Sequence, residues 1–404
     1  MLRFKKDDGS QFPDWKEHKI AELIQLYNEK VSSDCQLPIL TSSKKNGIEY
    51  QEEHFAGKQR HDIEGYNVLP RNYCTYRNRS DGTDFTFNIN KLCDKGIVSK
   101  FYPVFKEKDC DLFFLVSLLN NERKTVHKIA YTAKGTGQKV LSITDLRNIT
   151  VNMPSLPEQQ KIAEFLSTID AVIEKQKKTV SAWEERKKGV MQKLFSQEVR
   201  FKADDGSDFP EWEDKPYLSL CNVFTDGDWI ESKDQSDSGI RLIQTGNIGN
   251  GIFIDKGDKK KYISKETFDK LKCNEVFEGD ILISRLPSPA GRACIVPKLN
   301  ERTITAVDCT IVRTDKNIIS HDYCAQFMQS SKHFYYVASM MAGGTRQRIS
   351  RRNLEDELIS VPCLAEQQKI VDCLSSLDEV IEKQKATLSA WEELKKGLLQ
   401  QMFV

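Results

Sequence analysis

Between residues 156 and 194 the apolar positions alternate four and three apart: Ile162, Leu166, Ile169, Ile173, Val180, Trp183, Val190 and Leu194, with polar gaps at Gln176 and Lys187. That spacing predicts one long helix carrying a coiled-coil seam. The pattern returns at 364–402 as Ile370, Leu374, Leu377, Ile381, Leu388, Trp391, Leu398 and Met402, with Gln384 and Lys395 in the same two gaps. Pro157 and Glu158 suit the first turn of one copy, Ala365 and Glu366 that of the other, and no proline interrupts either run. Two matched seams in one chain are expected to pair. Because they close two tandem repeats, an antiparallel pair with pseudo-two-fold symmetry is the expected arrangement. Gln176 and Gln384, each near the middle of its helix, would then either meet as a buried polar pair that fixes register or reach solvent from the seam's edge.

A second repeat lies outside the helices. Residues 3–15, Arg-Phe-Lys-Lys-Asp-Asp-Gly-Ser-Gln-Phe-Pro-Asp-Trp, recur as Arg-Phe-Lys-Ala-Asp-Asp-Gly-Ser-Asp-Phe-Pro-Glu-Trp at 200–212. Each copy reads as a short strand, a turn and an aromatic-proline-aromatic anchor. The order along the chain is therefore signature, variable region, helix, twice over. We expect globular domains at 1–155 and 199–363, with long helices at 156–198 and 364–404. The variable parts, about 16–153 and 213–361, share little sequence although their frames are nearly duplicated. A frame repeated with different inserts is what a protein needs to present two specificities in one geometry.

Inside the variable regions, short runs rich in β-formers (85–89, 101–105) precede a helical stretch at 110–121, so the fold class is α+β with mixed short elements. Arg71, Tyr73, Tyr76, Arg77 and Arg79 interleave cations with aromatics, a composition suited to phosphate contact and base stacking, or equally to a polar edge strand. In the second region Gln244, Thr245 and Asn247 follow a strand. Arg285 ends another, with Arg292 beyond it; either arginine could offer its fork to DNA or serve an ion pair. Each region closes on a glycine loop, with Lys134, Thr136, Gln138 and Lys139 in the first and Thr345, Arg346, Gln347 and Arg348 in the second. Glycines beside amides and cations let backbone N–H groups approach an anion. Counted back from the helices, Gly135 aligns with Gly343 and Ser142 with Ser350.

Composition narrows the classes without choosing among them. The 404 residues carry a net charge of +1, so any basic surface is local. Eleven cysteines show no C-x-x-C pair, which reads as reduced thiols, and no apolar run is long enough for a membrane span, so a cytoplasmic location is expected. A phosphate loop, a dinucleotide loop, an H-E-x-x-H metal motif and a serine elbow are all missing from the sequence. No catalytic residue and no metal ligand is expected.

The paired helix starts, Leu-Pro-Glu-Gln-Gln-Lys-Ile at 156–162 and Leu-Ala-Glu-Gln-Gln-Lys-Ile at 364–370, resemble those of the DNA-specificity subunit of type I restriction-modification enzymes, as do the glycine loops and the 244–248 and 279–285 segments. The resemblance runs the full length. It departs from the pattern at Ala365, and in a first domain without an obvious counterpart of 244–248. It implies a host-defence protein that is not itself an enzyme: two target-recognition domains read the halves of a bipartite, asymmetric double-stranded DNA site while the helices space them. It also implies partners, two methyltransferase subunits docked on the helices and motor-nuclease subunits beyond them. S-adenosylmethionine, ATP and Mg would belong to those partners. At about 1.5 Å per residue a helix over 156–194 spans roughly 58 Å, against about 34 Å for one turn of DNA. Rival readings are a helical scaffold that binds no DNA and a self-contained nuclease.

Overall fold

Both periodic stretches are continuous helices, Leu156–Phe195 and Leu364–Met402, in the computed structural model, which describes residues 2–55, 62–287, 289–341 and 347–403. The chain divides into two compact units, Met1–Lys177 with Ala386–Val404 and Lys178–Lys385, so each unit holds part of both long helices.

In the first unit the helices run antiparallel: Asp170 pairs with Lys395, and Lys177 further along pairs at 3.8 Å with Glu392 further back. The second unit repeats this, with Glu184 on Lys385 at 3.1 Å and Lys187 on Asp378 at 2.7 Å. The seam positions behave as their spacing predicts. Ile162, Leu166, Ile169, Ile173, Val180, Ile370, Leu374 and Ile381 are buried, while Leu377, Leu388, Trp183 and Trp391 are half-buried. The lysines in the seam gaps are explained by the aspartates opposite them, Asp378 for Lys187 and Asp170 for Lys395. Gln176 lies in the first unit and Gln384 in the second; both are half-buried and neither is without a partner.

The variable regions share one core despite their different sequences. In the first, strands Ile24–Tyr27, Val104–Glu107, Cys74–Tyr76 and Phe87–Ile89 form an antiparallel four-stranded sheet in that order. In the second, Cys221–Asp226, Cys309–Thr314, Ile281–Ser284 and Ala293–Ile295 follow the same order and directions. A strand pair closes each domain at its ends, Lys16–Lys19 with Thr150–Met153 and Glu213–Pro216 with Leu358–Val361. The regions differ in what is added. The first carries a hairpin, Leu40–Ser43 with Gly47–Tyr50, and a separate two-stranded pair, Asn67–Pro70 with Lys95–Val98; the second builds a five-stranded sheet around Ile240–Ile243.

Each core is completed by the long helices. Phe105, Phe114, Leu115 and Leu118 pack with Ile162 and Leu166 of the first helix and with Met402 and Phe403 at the end of the second. In the other unit Tyr217, Ile281, Tyr323 and Phe327 pack with Met191, Leu194 and Phe195, and with Ile370 and Leu374. The seam thus serves two tasks at each helix start, pairing with its partner and closing a domain. The signatures form no full strand, only the single bridges Lys5–Gln11 and Lys202–Asp208, because their backbone is spent on the turn between. Among the described residues no helix is long and apolar enough to cross a membrane.

Candidate nucleic-acid interface

In the first domain two of the segments singled out by sequence come together. The glycine loop folds back as Lys139–Val140 against Arg79–Ser80, an antiparallel ladder that places Arg79 opposite Val140 and Ser80 opposite Lys139. Gly135 makes the fold-back: its φ is +125°, and a Cβ there would stand 2.3 Å from the carbonyl oxygen of Gln138. Gln138 donates to Asp81 at 3.2 Å, and Lys134 pairs with Asp145 at 3.1 Å. Ser142 caps the following helix, Ile143–Arg147, by accepting from the Asp145 amide at 3.0 Å. The Ser142 hydroxyl and then Lys134 hold the Asp145 carboxyl below the usual aspartate range.

In and beside this ladder Arg77, Arg79, Thr136 and Gln138 are exposed. The Arg79 guanidinium lies 3.9 Å from the centre of the Phe101 ring. Arg71 stands apart, donating to Asp94 at 2.8 Å and to the Lys91 carbonyl at 2.9 Å, and Tyr73 is half-buried edge-on to Tyr27. Tyr76, expected among the contact residues, is fully buried and donates to the Leu141 carbonyl at 3.0 Å. It fastens the base of the loop from inside the sheet, and its ring cannot meet a base. Burial also raises the Tyr76 hydroxyl well above the usual tyrosine range.

The second domain gives the same kind of correction more sharply. Arg292, only 9% exposed, spends its guanidinium on four backbone carbonyls: Ile248 at 2.7 Å, and Leu286, Pro289 and Thr245 at 2.8 Å each. It staples the 244–248 turn to the 285–292 loop. Asn247 is buried too, accepting from the Gln244 amide at 3.0 Å and donating to the Ile254 carbonyl at 2.9 Å. Arg285 is buried, donating to the Val307 carbonyl at 2.6 Å beside Asp226 and Asp308. These three build the turn and do not line its outer face. A turn short of regular pairing leaves carbonyls that a buried cation can satisfy, and the same residue types that bind phosphate do so here.

What remains on the surface is Gln347 and Arg348, the latter 3.8 Å from Asp308, while Gln244 and Thr245 are half-buried. Thr345 and Arg346 lie outside the described residues. Sequence reasoning missed Trp229, 69% exposed on a loop held close to Thr305 and Ala306, where a Cβ on Gly227 would sit 2.4 Å from the Thr305 oxygen. A lone tryptophan in a polar stretch was the available signal. The first domain has a parallel bridge of its own, Ile39–Ile97, just before the strand that carries Ser42 and Ser43. Asn88 holds that strand, donating to the Ser42 hydroxyl at 2.8 Å and the Ser43 carbonyl at 3.0 Å.

The cysteines are unpaired, and burial pushes the thiols of Cys110, Cys294, Cys309 and Cys324 up to about 12. No cluster of three or more His, Cys, Asp or Glu able to hold a metal is present among the described residues.

The sequence model of a family described as the type I restriction modification DNA specificity domain matches twice, over 14–180 and 210–390. The chain belongs to that family. It is 24% identical over 323 residues to the type I restriction enzyme MjaVIII specificity subunit of Methanocaldococcus jannaschii, covering 76% of this chain and 73% of that one. Its fold is similar to a type I restriction-modification S subunit from M. genitalium (TM-score 0.53, 16% identity, 100% of this chain and 98% of the other). It is also similar to a chain solved in a study of assembly and conformational transition of the type I system (TM-score 0.56, 15% identity, 97% and 98%).

In this specificity-family chain the duplicated helix-start motif has a structural basis. Glu158, fully buried, accepts from Arg3 at 3.1 and 2.8 Å, while Gln159 accepts from the Asp111 amide at 2.9 Å and donates to the Pro154 carbonyl at 2.8 Å. Lys161 reaches Asp7 at 2.6 Å. The second copy matches: Glu366 with Arg200, Gln367 with the Ser320 amide and Pro362 carbonyl, Lys369 with Asp204. The glutamate, first glutamine and lysine of the motif thus tie each helix start to the signature or to its domain.

Proposed function

We propose that this chain is the non-catalytic reader of a type I restriction-modification complex in the cytoplasm, recognising a two-part, asymmetric site in double-stranded DNA, one half per domain. The observation that carries this reading is the contrast between the parts. Signature, helix start and four-stranded sheet are repeated, whereas the two-stranded pairs of one domain and the five-stranded sheet of the other are not. Affinity comes from salt-dependent phosphate contacts and discrimination from side chains at base edges. The outward faces of the long helices dock methyltransferase subunits, two in number, and motor-nuclease subunits bind through them. S-adenosylmethionine, ATP and Mg act in those partners.

The test is methylome sequencing of cells with and without the gene. A split motif that disappears with the gene is expected; its absence favours a scaffold that binds no DNA, and magnesium-dependent cutting by the purified chain alone favours a nuclease. Lengthening the helices changes the gap between half-sites and leaves their bases alone. Altered bases with an unchanged gap would overturn the spacing role.

A further inference from the structure

Among the arginines of the candidate interface, most have their donors committed. Arg71 is held by Asp94 and the Lys91 carbonyl, Arg285 by Val307 with Asp226 and Asp308 beside it, and Arg292 by four carbonyls; Arg348 faces Asp308. Arg79 differs. Among the described residues it has neither a carboxylate nor a carbonyl partner, and its one fixed side-chain neighbour is the ring of Phe101 at 3.9 Å. A guanidinium lying over an aromatic face keeps its N–H donors, which point outward in its own plane. The ring limits where the guanidinium can sit, while its hydrogen-bonding capacity stays unspent.

The mount under this arginine is stiff. The Asn78 amide donates to the Phe101 carbonyl at 3.3 Å, the Asn78 carbonyl accepts from the Leu141 amide at 2.9 Å, and Arg79 itself is paired with Val140 in the ladder. Tyr76, two residues before Asn78, is locked in the core. By contrast Arg77, also exposed, has no ring or carboxylate fixing it among the described residues. A planar fork held in advance loses little freedom on binding, the condition for bidentate recognition.

We infer that Arg79, positioned by stacking on Phe101, reads a guanine through its O6 and N7 edge in the half-site bound by the first domain. This rests on the specificity reading above and adds a base and a residue to it. Arginine with guanine is the pairing in which two parallel N–H donors meet two acceptors on one base edge. Phe101 acts as a positioning residue: it sets the plane of the fork and touches no base.

The experiment maps methylation in cells carrying the complete system with the wild-type chain, Arg79→Ala, Arg79→Lys or Phe101→Leu. The wild type should yield a split motif with a guanine in one half. Arg79→Ala should relax that position, with preference for guanine falling about 10- to 100-fold, while the other half-site stays intact. Arg79→Lys keeps the charge without the fork and should relax the same position. Phe101→Leu keeps apolar packing without the aromatic face and should blur that position alone. If Arg79→Ala abolishes methylation, Arg79→Lys decides: a relaxed guanine supports the assignment and an unchanged motif overturns it. A split motif unchanged in all three variants also overturns it, leaving the specificity reading intact. A wild-type methylome without any split motif overturns both.

Discussion

Arg3 and Glu158, 155 positions apart, form a two-point ion pair whose carboxylate is fully buried, and Arg200 and Glu366 repeat it in the second unit. Removing the arginine leaves a buried charge without its partner. Arg3→Ala is expected to cost the first unit about 3–5 kcal/mol, and Arg200→Ala the second unit a similar amount, read by denaturant unfolding of each variant. Trp212 also donates to Glu366, at 2.9 Å, so the second loss should be the smaller of the two. Absent losses in both would mean that the signatures do not hold the helix starts.

Arg292→Lys tests the staple in the second domain. An ammonium cannot serve four carbonyls spread over two loops, so a loss of about 2–4 kcal/mol is expected, together with broadened recognition of one half-site. A variant with full stability and an unchanged motif would return Arg292 to the list of surface readers.

The ion pairs in the seam gaps should be energetically alike. Double-mutant cycles on Lys187 with Asp378 and on Asp170 with Lys395 are expected to give coupling energies of about 0.5–1 kcal/mol each, reduced at high salt. Coupling in one cycle and none in the other would show that the two copies of the seam have diverged in function.

Asp145 supplies a pH test. Its carboxyl is held below the ordinary aspartate range by Ser142 first and Lys134 second. A depressed folded-state value contributes stability that is present above the unfolded value, near 3.9, and is lost as pH falls through the folded value. The glycine loop should therefore keep this anchor through the neutral and mildly acid range. In an NMR titration Ser142→Ala should raise the Asp145 midpoint more than Lys134→Ala does. An unmoved midpoint in Ser142→Ala would remove the cap from the account.

Legibility followed physical scale. The long helices were readable because a seam repeats over many turns, and position after position agrees. The repeated frame was readable because it recurs in one chain. Of the candidate contact residues, Arg77, Arg79, Gln138 and Arg348 are exposed, whereas Tyr76, Asn247, Arg285 and Arg292 face inward. Residue type fixes what a side chain can bond to, yet a turn offers carbonyls on its inner side much as DNA offers phosphates on its outer side. Only the register of Ile281–Ser284 and its neighbours decides which. Phe101 escaped notice because an aromatic in a β-rich run reads as core until its partner is placed.

The first unit is closed by Met402 and Phe403, which pack among Phe114 and Ile162 although the whole second unit precedes them in the chain. On the ribosome, residues 1–177 therefore emerge without the last wall of their own core and wait until residues 386–403 have been made. A premature stop shortly before Ala386 would leave the second unit with its segments and the first without its closing ones. Translation would then yield an unequal product, one domain finished and the other open.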